Sequence, residues 1–323
     1  MSSARVLKSP YPWFGGKSRI MDQVWSRFGD VRNFVDPFLG SCAALLCRPT
    51  PFNGTETVND LDGFAANFWR AVQADPEAVA RYADWPVNEN DLHARHSWLV
   101  ARKDDLQSRL EGDPEWFDAK VAGWWVWGIS CWIGSGWCSG KGPWHVVDGR
   151  LIKIDGNAGR GVNRKLPHLG NAGRGVNRPG SRLHEYIGEL SERLARVRVC
   201  CGDWSRVCGS AVTTKQGLTA VFLDPPYSAE ANRDNSLYRR ESTTVAHAVR
   251  EWAIEHGDDP MMRIALCGYE GEHAMPDEWE CLAWKTSGGY SHPDKPNRFR
   301  ERIWFSPHCL KPQTNKPSLF TEV

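Results

Sequence analysis

The sequence has no apolar run near the roughly 20 residues that a membrane-spanning helix needs, and Met1 to Pro10 lacks the basic start and apolar middle of a signal peptide. A cytoplasmic protein is therefore expected. The ten cysteines contain no C-x-x-C pair and no Cys/His set at zinc-like spacing, so free thiols and no metal site are predicted. A formal net charge of only +1 removes any global attraction to nucleic acid and confines a basic surface to local segments. The chain lacks a Gly-x-Gly-x-x-Gly after its first predicted strand, which argues against a nicotinamide-dependent dehydrogenase. It also lacks the Gly-x-x-x-x-Gly-Lys-Ser/Thr of a P-loop.

The 323 residues have the composition of a globular protein, 41% hydrophobic and 24% charged, with an unusual 17 tryptophans. Most of those rings belong in a core, and a few suit the stacking of planar ligands or bases. "NFVDPFLGS", residues 33 to 41, reads as a short strand ending in an acid, a proline and a glycine turn. "ETVNDLD", residues 56 to 62, is a second strand ending in acids, followed by the helical "GFAANFWRAVQ" and a further helix from Pro76. Strand, turn, helix, strand, acid, helix opens a doubly wound parallel sheet, whose ligands bind at the carboxyl ends of the strands.

From Asp91 to Trp137 the pattern is helical, and "WFDAKVAGWWVWGISCWI" is apolar nearly all round, as a buried helix in a bundle-like insertion would be. Periodicity then disappears. The octapeptide Asn-Ala-Gly-Arg-Gly-Val-Asn-Arg occurs twice, from Asn157 and from Asn171. Order resumes at Leu183, Ile187, Leu190, Leu194 and Val197, which recur at helical spacing. Strands are predicted at 197–201, 220–223, about 262–267 and about 302–306, with a helix between Thr243 and His256. The predicted fold class is α/β, a Rossmann-like sheet interrupted by a mainly helical and loop insertion. Its parts are residues 1–85, 86–182 and 183–323.

In "TAVFLDPPYSAE", residues 219 to 230, an apolar strand runs into an acid, two prolines and a tyrosine. The prolines fix the backbone and remove two N–H donors, so the strand stops at Asp224 with a stiff turn behind it. A carboxylate and an aromatic ring are thereby held at the sheet edge. In "YPWFGGKSRI", residues 11 to 20, Gly15 and Gly16 let a ligand approach the backbone while Lys17 supplies charge. Gly40 offers a similar approach after the first strand, and Asp60 stands where such sheets place an acid for ribose hydroxyls.

The set "PWFGGK", "FVDPFLGS", "VNDLDGFAANFW", "CGDW" and "LDPPY", in that order, resembles the Dam-type DNA adenine methyltransferases of the alpha class. The resemblance implies S-adenosylmethionine as cofactor, double-stranded DNA as partner, and a Rossmann-like methyltransferase core around a target-recognition insertion. It calls for no metal, and a monomer would suffice while the oligomeric state stays open. It places Trp13, Gly15, Gly16 and Lys17 against the methionine part of the cofactor. It wraps the cofactor in a loop containing Asp36, Pro37, Phe38, Gly40 and Ser41. Asp60 holds the ribose, and Asp203 and Trp204 bind and flank the adenine. Asp224, Pro225, Pro226 and Tyr227 form the catalytic pocket for a flipped base, with Asp224 also bordering the cofactor. Cys42 departs from the family's Gly-Ser-Gly and is expected to narrow the cofactor's space. Neighbouring readings keep the fold and methylate cytosine N(4) or adenine in RNA, or keep a decayed core as a non-catalytic DNA-binding module.

The repeat supplies the local basic segment. Arg160, Arg164, Lys165, Arg174 and Arg178 lie in an acid-free stretch rich in glycine and asparagine, as suits a loop lying along phosphates. Asn163 and Asn177, with Arg164 and Arg178, are the candidates for reading base edges. In the carboxyl-terminal "PNRFRERIWFSP", Arg298, Arg300 and Arg302 alternate with Phe299, Glu301 and Ile303, which predicts one wet and one packed face and a scaffold role. His292 and His308 are expected to be ordinary histidines and not ligands. Replacing Arg160, Arg164, Arg174 and Arg178 by Gln should weaken DNA binding and flatten its dependence on salt, measured by titration across salt concentrations.

Overall fold

Alternation with a period of two runs through the central strands and sorts their side chains onto two buried faces. Phe34, Ala220, Phe222, Ala265, Cys267, Ile303 and Phe305 join one core cluster, and Val35, Val221, Leu223, Ile264, Leu266 and Trp304 join another. A sheet covered on both sides is why these strands read as near-continuous apolar runs. The computed structural model describes residues 7–13, 15–50, 52–132, 136–138, 144–147, 150–153, 182–227, 242–284 and 300–311.

In chain order the elements begin with α1 (Met21–Phe28), β1 (Asn33–Asp36), α2 (Ala43–Leu46), β2 (Thr55–Asp60), α3 (Gly63–Ala74) and α4 (Pro76–Ala83). Then come α5 (Glu89–Val100), α6 (Lys103–Gly112), α7 (Ala119–Cys131), β3 (Trp144–Val147) and β4 (Arg150–Lys153). The rest are α8 (Leu183–Leu194), β5 (Arg198–Cys201), β6 (Thr219–Leu223), α9 (Ser242–His256), β7 (Met262–Tyr269), β8 (Glu280–Ala283) and β9 (Glu301–Phe305). Among the described residues the main sheet has seven strands in the order β5-β2-β1-β6-β7-β9-β8. The first five are parallel, and β9 runs antiparallel to both β7 and β8. Because β1 lies between β2 and β6, the chain's direction of travel across the sheet reverses there, the place where doubly wound sheets form their ligand crevice.

Helix starts follow local chemistry. The side chains of Asp62, Asp75, Asn88 and Asp118 accept from the first-turn N–H groups of α3, α4, α5 and α7, and Pro76 supplies the preset φ at the start of α4. Residues of α1, α3, α4, α7 and α8 build the larger core cluster, while Val249 and Ala253 of α9 cover the opposite face.

The tryptophan-rich stretch is three helices, and α7 joins the main core: Trp125 packs on Tyr11 and Phe68, with ring centroids 4.9 and 5.9 Å apart. The predicted bundle therefore shares its apolar face with the sheet-covering helices. Two elements went unforeseen, the β3–β4 hairpin and the short outer strand β8. Both have only four residues per strand, too few for a period to emerge. His308 is half-buried against the Asp258 carbonyl, at 3.0 Å, and His292 lies outside the described residues, as do Arg298 and Phe299. So do all seven residues proposed for DNA contact, Arg160, Asn163, Arg164, Lys165, Arg174, Asn177 and Arg178. The ten cysteines are free thiols. Among the described residues no helix is long and apolar enough to cross a membrane, and no group of three or more His, Cys, Asp or Glu is placed to hold a metal.

Candidate active site

Four acids stand at the carboxyl ends of the parallel strands: Asp36 closes β1, Asp60 closes β2, Asp203 follows β5 and Asp224 follows β6. Each strand stops there for a local reason. At Asp224 it is the two prolines; at Asp36 it is Pro37, with the Asp36 carboxylate accepting from the Phe38 N–H at 3.2 Å. Asp60 turns its carboxylate back on the chain, accepting from the Gly40 N–H at 2.7 Å and the Asp62 N–H at 2.8 Å. Asp203 is exposed and accepts from the Ser205 N–H at 2.9 Å, and Trp204 beside it stacks on Phe38 at 6.2 Å and 26°.

Lys17 reaches this crevice from the segment before α1. Its ammonium, only 3% exposed, lies 2.9 and 3.0 Å from the two Asp224 oxygens and donates to the Gly15 carbonyl at 2.8 Å. Gly15 itself has φ +74°, a conformation glycine adopts without strain. A second carboxylate, Glu301 at the start of β9, has an oxygen 3.8 Å from the same ammonium. That oxygen accepts from the Tyr227 hydroxyl at 2.7 Å. The Tyr227 ring is buried, with Tyr269 edge-on at 4.6 Å and the Lys17 ammonium 5.2 Å from its centroid. Pro225 is buried and Pro226 half-buried, while the Asp224 side chain keeps 23% of its surface open.

The loops are stapled together by Asn59. Its side-chain N–H groups donate to the Pro37 carbonyl at 3.1 Å and the Gly202 carbonyl at 2.9 Å, so one buried amide ties together the turns after β1, β2 and β5. Backbone bonds from Leu39 N to the Asn59 carbonyl and from Gly202 N to the Asp60 carbonyl reinforce it. Gly40, at φ +46°, lies under the Trp13 indole: a Cβ there would come within 2.5 Å of Trp13 Nε1. The close approach that glycine permits is thus used by Trp13. Tyr11 donates to the Gly40 carbonyl at 2.6 Å and accepts from the Trp69 indole at 2.8 Å. Ser41 is buried beside it. Cys42 has no exposed surface and a φ of +60°, so its thiol packs inward and takes no room from an open site. The cost of cysteine here is conformational, on the order of 1–2 kcal/mol for a left-handed non-glycine residue.

Burial dominates the electrostatics. It opposes the Lys17 charge, but the carboxylates of Asp224 and Glu301 outweigh it and raise the lysine pKa. Burial lifts Asp36 well above the ordinary carboxyl range, the Phe38 N–H opposing and the charges of Asp224 and Asp60 adding to the rise. Asp60 is pushed up to about 7 by burial and by Asp62, against the N–H groups that it accepts. Tyr227 is raised by burial and the two carboxylates near it, so its hydroxyl stays a donor. The site thus sets two carboxylates, Asp224 and Glu301, against one ammonium, with the carboxyl groups of Asp36 and Asp60 at the neighbouring strand ends.

Residues 13–109 match the family model of the D12 class N6 adenine-specific DNA methyltransferases. This supports an adenine-specific DNA methyltransferase. The match takes in the glycine turn and Lys17, the ends of β1 and β2, and the helices to α6. The mostly parallel seven-stranded sheet is consistent with the Rossmann-like fold of such a methyltransferase, a family whose substrate is DNA. A comparison with curated proteins found no match.

Of the methyltransferase residues expected from sequence, Lys17 and Asp224 are in direct contact, and the charges of Asp224 and Asp60 reach Asp36. Gly16 bonds back to the Trp13 carbonyl at 3.3 Å. Three residues of the site escaped sequence reasoning. Glu301 looked like part of a scaffold strand, although an acid on the packed side of an alternating strand is itself a signal. Asn59 was hidden beside Asp60, and Tyr11 looked like an ordinary aromatic. Asn59→Ala should leave two buried carbonyls without partners and lower stability by about 1–3 kcal/mol, measured by urea unfolding.

Proposed function

We propose that the chain transfers a methyl group from S-adenosylmethionine to the 6-amino group of adenine in double-stranded DNA, as a Dam-type enzyme of the alpha class. The observation that carries this reading is the Asp224 carboxylate, rigid behind two prolines, partly open, and held by Lys17 beside the reversal point of the sheet. The order of motifs supports the class: the turn at Gly15 and Gly16 and the ends of β1 and β2 precede the helical segment, which precedes Asp-Pro-Pro-Tyr. In this reading residues 86–182 form the target-recognition part, between core segments 1–85 and 183–323.

The acceptor-rich site fits a cationic nucleoside. Asp60 suits the ribose hydroxyls, the stacked pair Phe38 and Trp204 with Asp203 suits the adenine, and Trp13 and Lys17 suit the methionine part. When bound, S-adenosylmethionine supplies an electrophilic methyl group on a sulfonium. Inside a duplex the adenine amine is paired and out of reach, so the base must be extruded. The Asp224 carboxylate and the Pro225 carbonyl then accept its two hydrogens, pull the nitrogen toward tetrahedral geometry and stabilise the positive charge that develops. Tyr227 forms the wall on which the base rests. No tuned general base is needed, because the proton leaves an already cationic amine.

Purified protein with radiolabelled S-adenosylmethionine and mixed-sequence duplex DNA should place label in N(6)-methyladenine; label only in RNA or protein would reject the DNA reading. Asp224→Ala should cut turnover by on the order of 10²-fold or more while cofactor binding persists. Because Asp60 is pushed up to about 7, the free protein below that pH holds it largely neutral. Affinity for the cofactor should therefore rise with pH by up to about tenfold per unit below neutrality and level off above it. Calorimetric titration from pH 5.5 to 8.5 measures this, and Asp60→Asn should flatten the curve.

A further inference from the structure

Both oxygens of Asp224, which would accept from an adenine amine, already lie against an ammonium in the structure. Lys17 touches both of its oxygens, at 2.9 and 3.0 Å, and the same ammonium lies 5.2 Å from the centre of the Tyr227 ring. An amine that bonds Asp224 shares those oxygens with Lys17 and weakens part of that pairing. A buried ammonium left without a carboxylate is strongly disfavoured. The site therefore needs a second place for the lysine charge.

Glu301 provides it. Its carboxylate is 3% exposed and already 3.8 Å from the Lys17 ammonium, close enough to take over the pairing after a small swing of a flexible side chain. The same oxygen holds the Tyr227 hydroxyl at 2.7 Å, which with Tyr269 edge-on at 4.6 Å fixes the plane of the ring. The position is set by the sheet: Glu301 pairs with Tyr269 across the antiparallel β7–β9 ladder, and its flanks are bonded by Glu270 N to the Arg300 carbonyl at 2.7 Å and Trp284 N to the Glu301 carbonyl at 3.2 Å. That register holds the Glu301 backbone beside Tyr269 with its side chain buried.

We propose that Glu301 is a positioning residue of the methyl-transfer site, with two linked tasks: it orients Tyr227 through its hydroxyl, and it serves as counter-ion for Lys17 while Asp224 is engaged with the amine. The proposal rests on the methyltransferase reading above. Glu301 itself gains and loses no proton in the cycle. Its carboxylate keeps the sum of charges around Lys17 constant as the Asp224 bonds are redistributed, which is the condition for a buried network to rearrange cheaply.

The test compares wild type, Glu301→Gln, Tyr227→Phe and the double variant of the full chain, reading kcat and KM separately on duplex DNA, cofactor affinity by calorimetry and melting temperature. Glu301→Gln should lower kcat by roughly tenfold to a hundredfold, as misplacement of a reacting geometry does, with cofactor affinity changed by less than about threefold. Tyr227→Phe should lower kcat by a few-fold, and adding Glu301→Gln to it should still slow turnover, because the counter-ion task remains. A kcat within about twofold of wild type for folded Glu301→Gln would overturn the proposal. If adding Glu301→Gln costs nothing in the Tyr227→Phe background, the counter-ion task is refuted and the orienting task alone stands. Should Glu301→Gln not fold, Tyr227→Phe decides, and full activity there would refute the orienting task. Failure of the wild-type protein to methylate duplex DNA at all is a separate result, which removes the parent reading and this one together.

Discussion

A lysine ammonium almost wholly removed from water keeps its charge in this fold because carboxylates stand beside it. Lys17 comes from the segment before the first helix and Asp224 from the end of the central strand β6, and their ion pair closes a sequence separation of 207 residues. It ties the glycine turn to the end of β6, beside the contacts that Tyr11 and Trp13 make with Gly40. Glu301 extends the pair into a network that includes the Tyr227 hydroxyl. The parts of the crevice assigned to cofactor and to base are thereby joined by one side chain, so disturbing either is felt by the other.

The surrounding architecture serves that arrangement. Two buried faces hold the strands level, and the reversal of strand order at β1 opens the crevice where four acids end their strands. Asn59 then fixes three turns relative to one another with two hydrogen bonds. Tyr11 does comparable work on the other side, bridging the Gly40 carbonyl and the Trp69 indole within the aromatic core. Much of the tryptophan excess is thus structural: Trp69, Trp125 and Trp127 are among the largest fully buried side chains.

The ends of β1 and β6 were legible in the sequence because apolar residues there run into an acid and proline, and such stops act within two or three residues, while β2 was legible from its acids and the helix that follows. The helices α3, α4 and α8 were legible from caps and period. Partners chosen by tertiary packing were not. Glu301 sits in a strand whose alternation tells which residues face inward but not what they meet, and its partners lie 74 and more residues away. The role of Gly40 also changed on folding, since the space beside it holds the Trp13 ring. At Cys42 the sequence pointed to crowding, whereas the structure points to a left-handed backbone that glycine would occupy with less strain.

The antiparallel strand β9 has a consequence for synthesis on the ribosome. Among the described strands it is the last to emerge, yet it inserts between two earlier ones and brings the second carboxylate to a lysine made nearly three hundred positions before. Until then the nascent sheet exposes the flank of β7, an unsatisfied edge open to wrong pairing. The Lys17–Asp224–Glu301 network is thus also a late long-range closure of the fold, and a polypeptide stalled short of β9 would hold most of its hydrophobic interior without that closure.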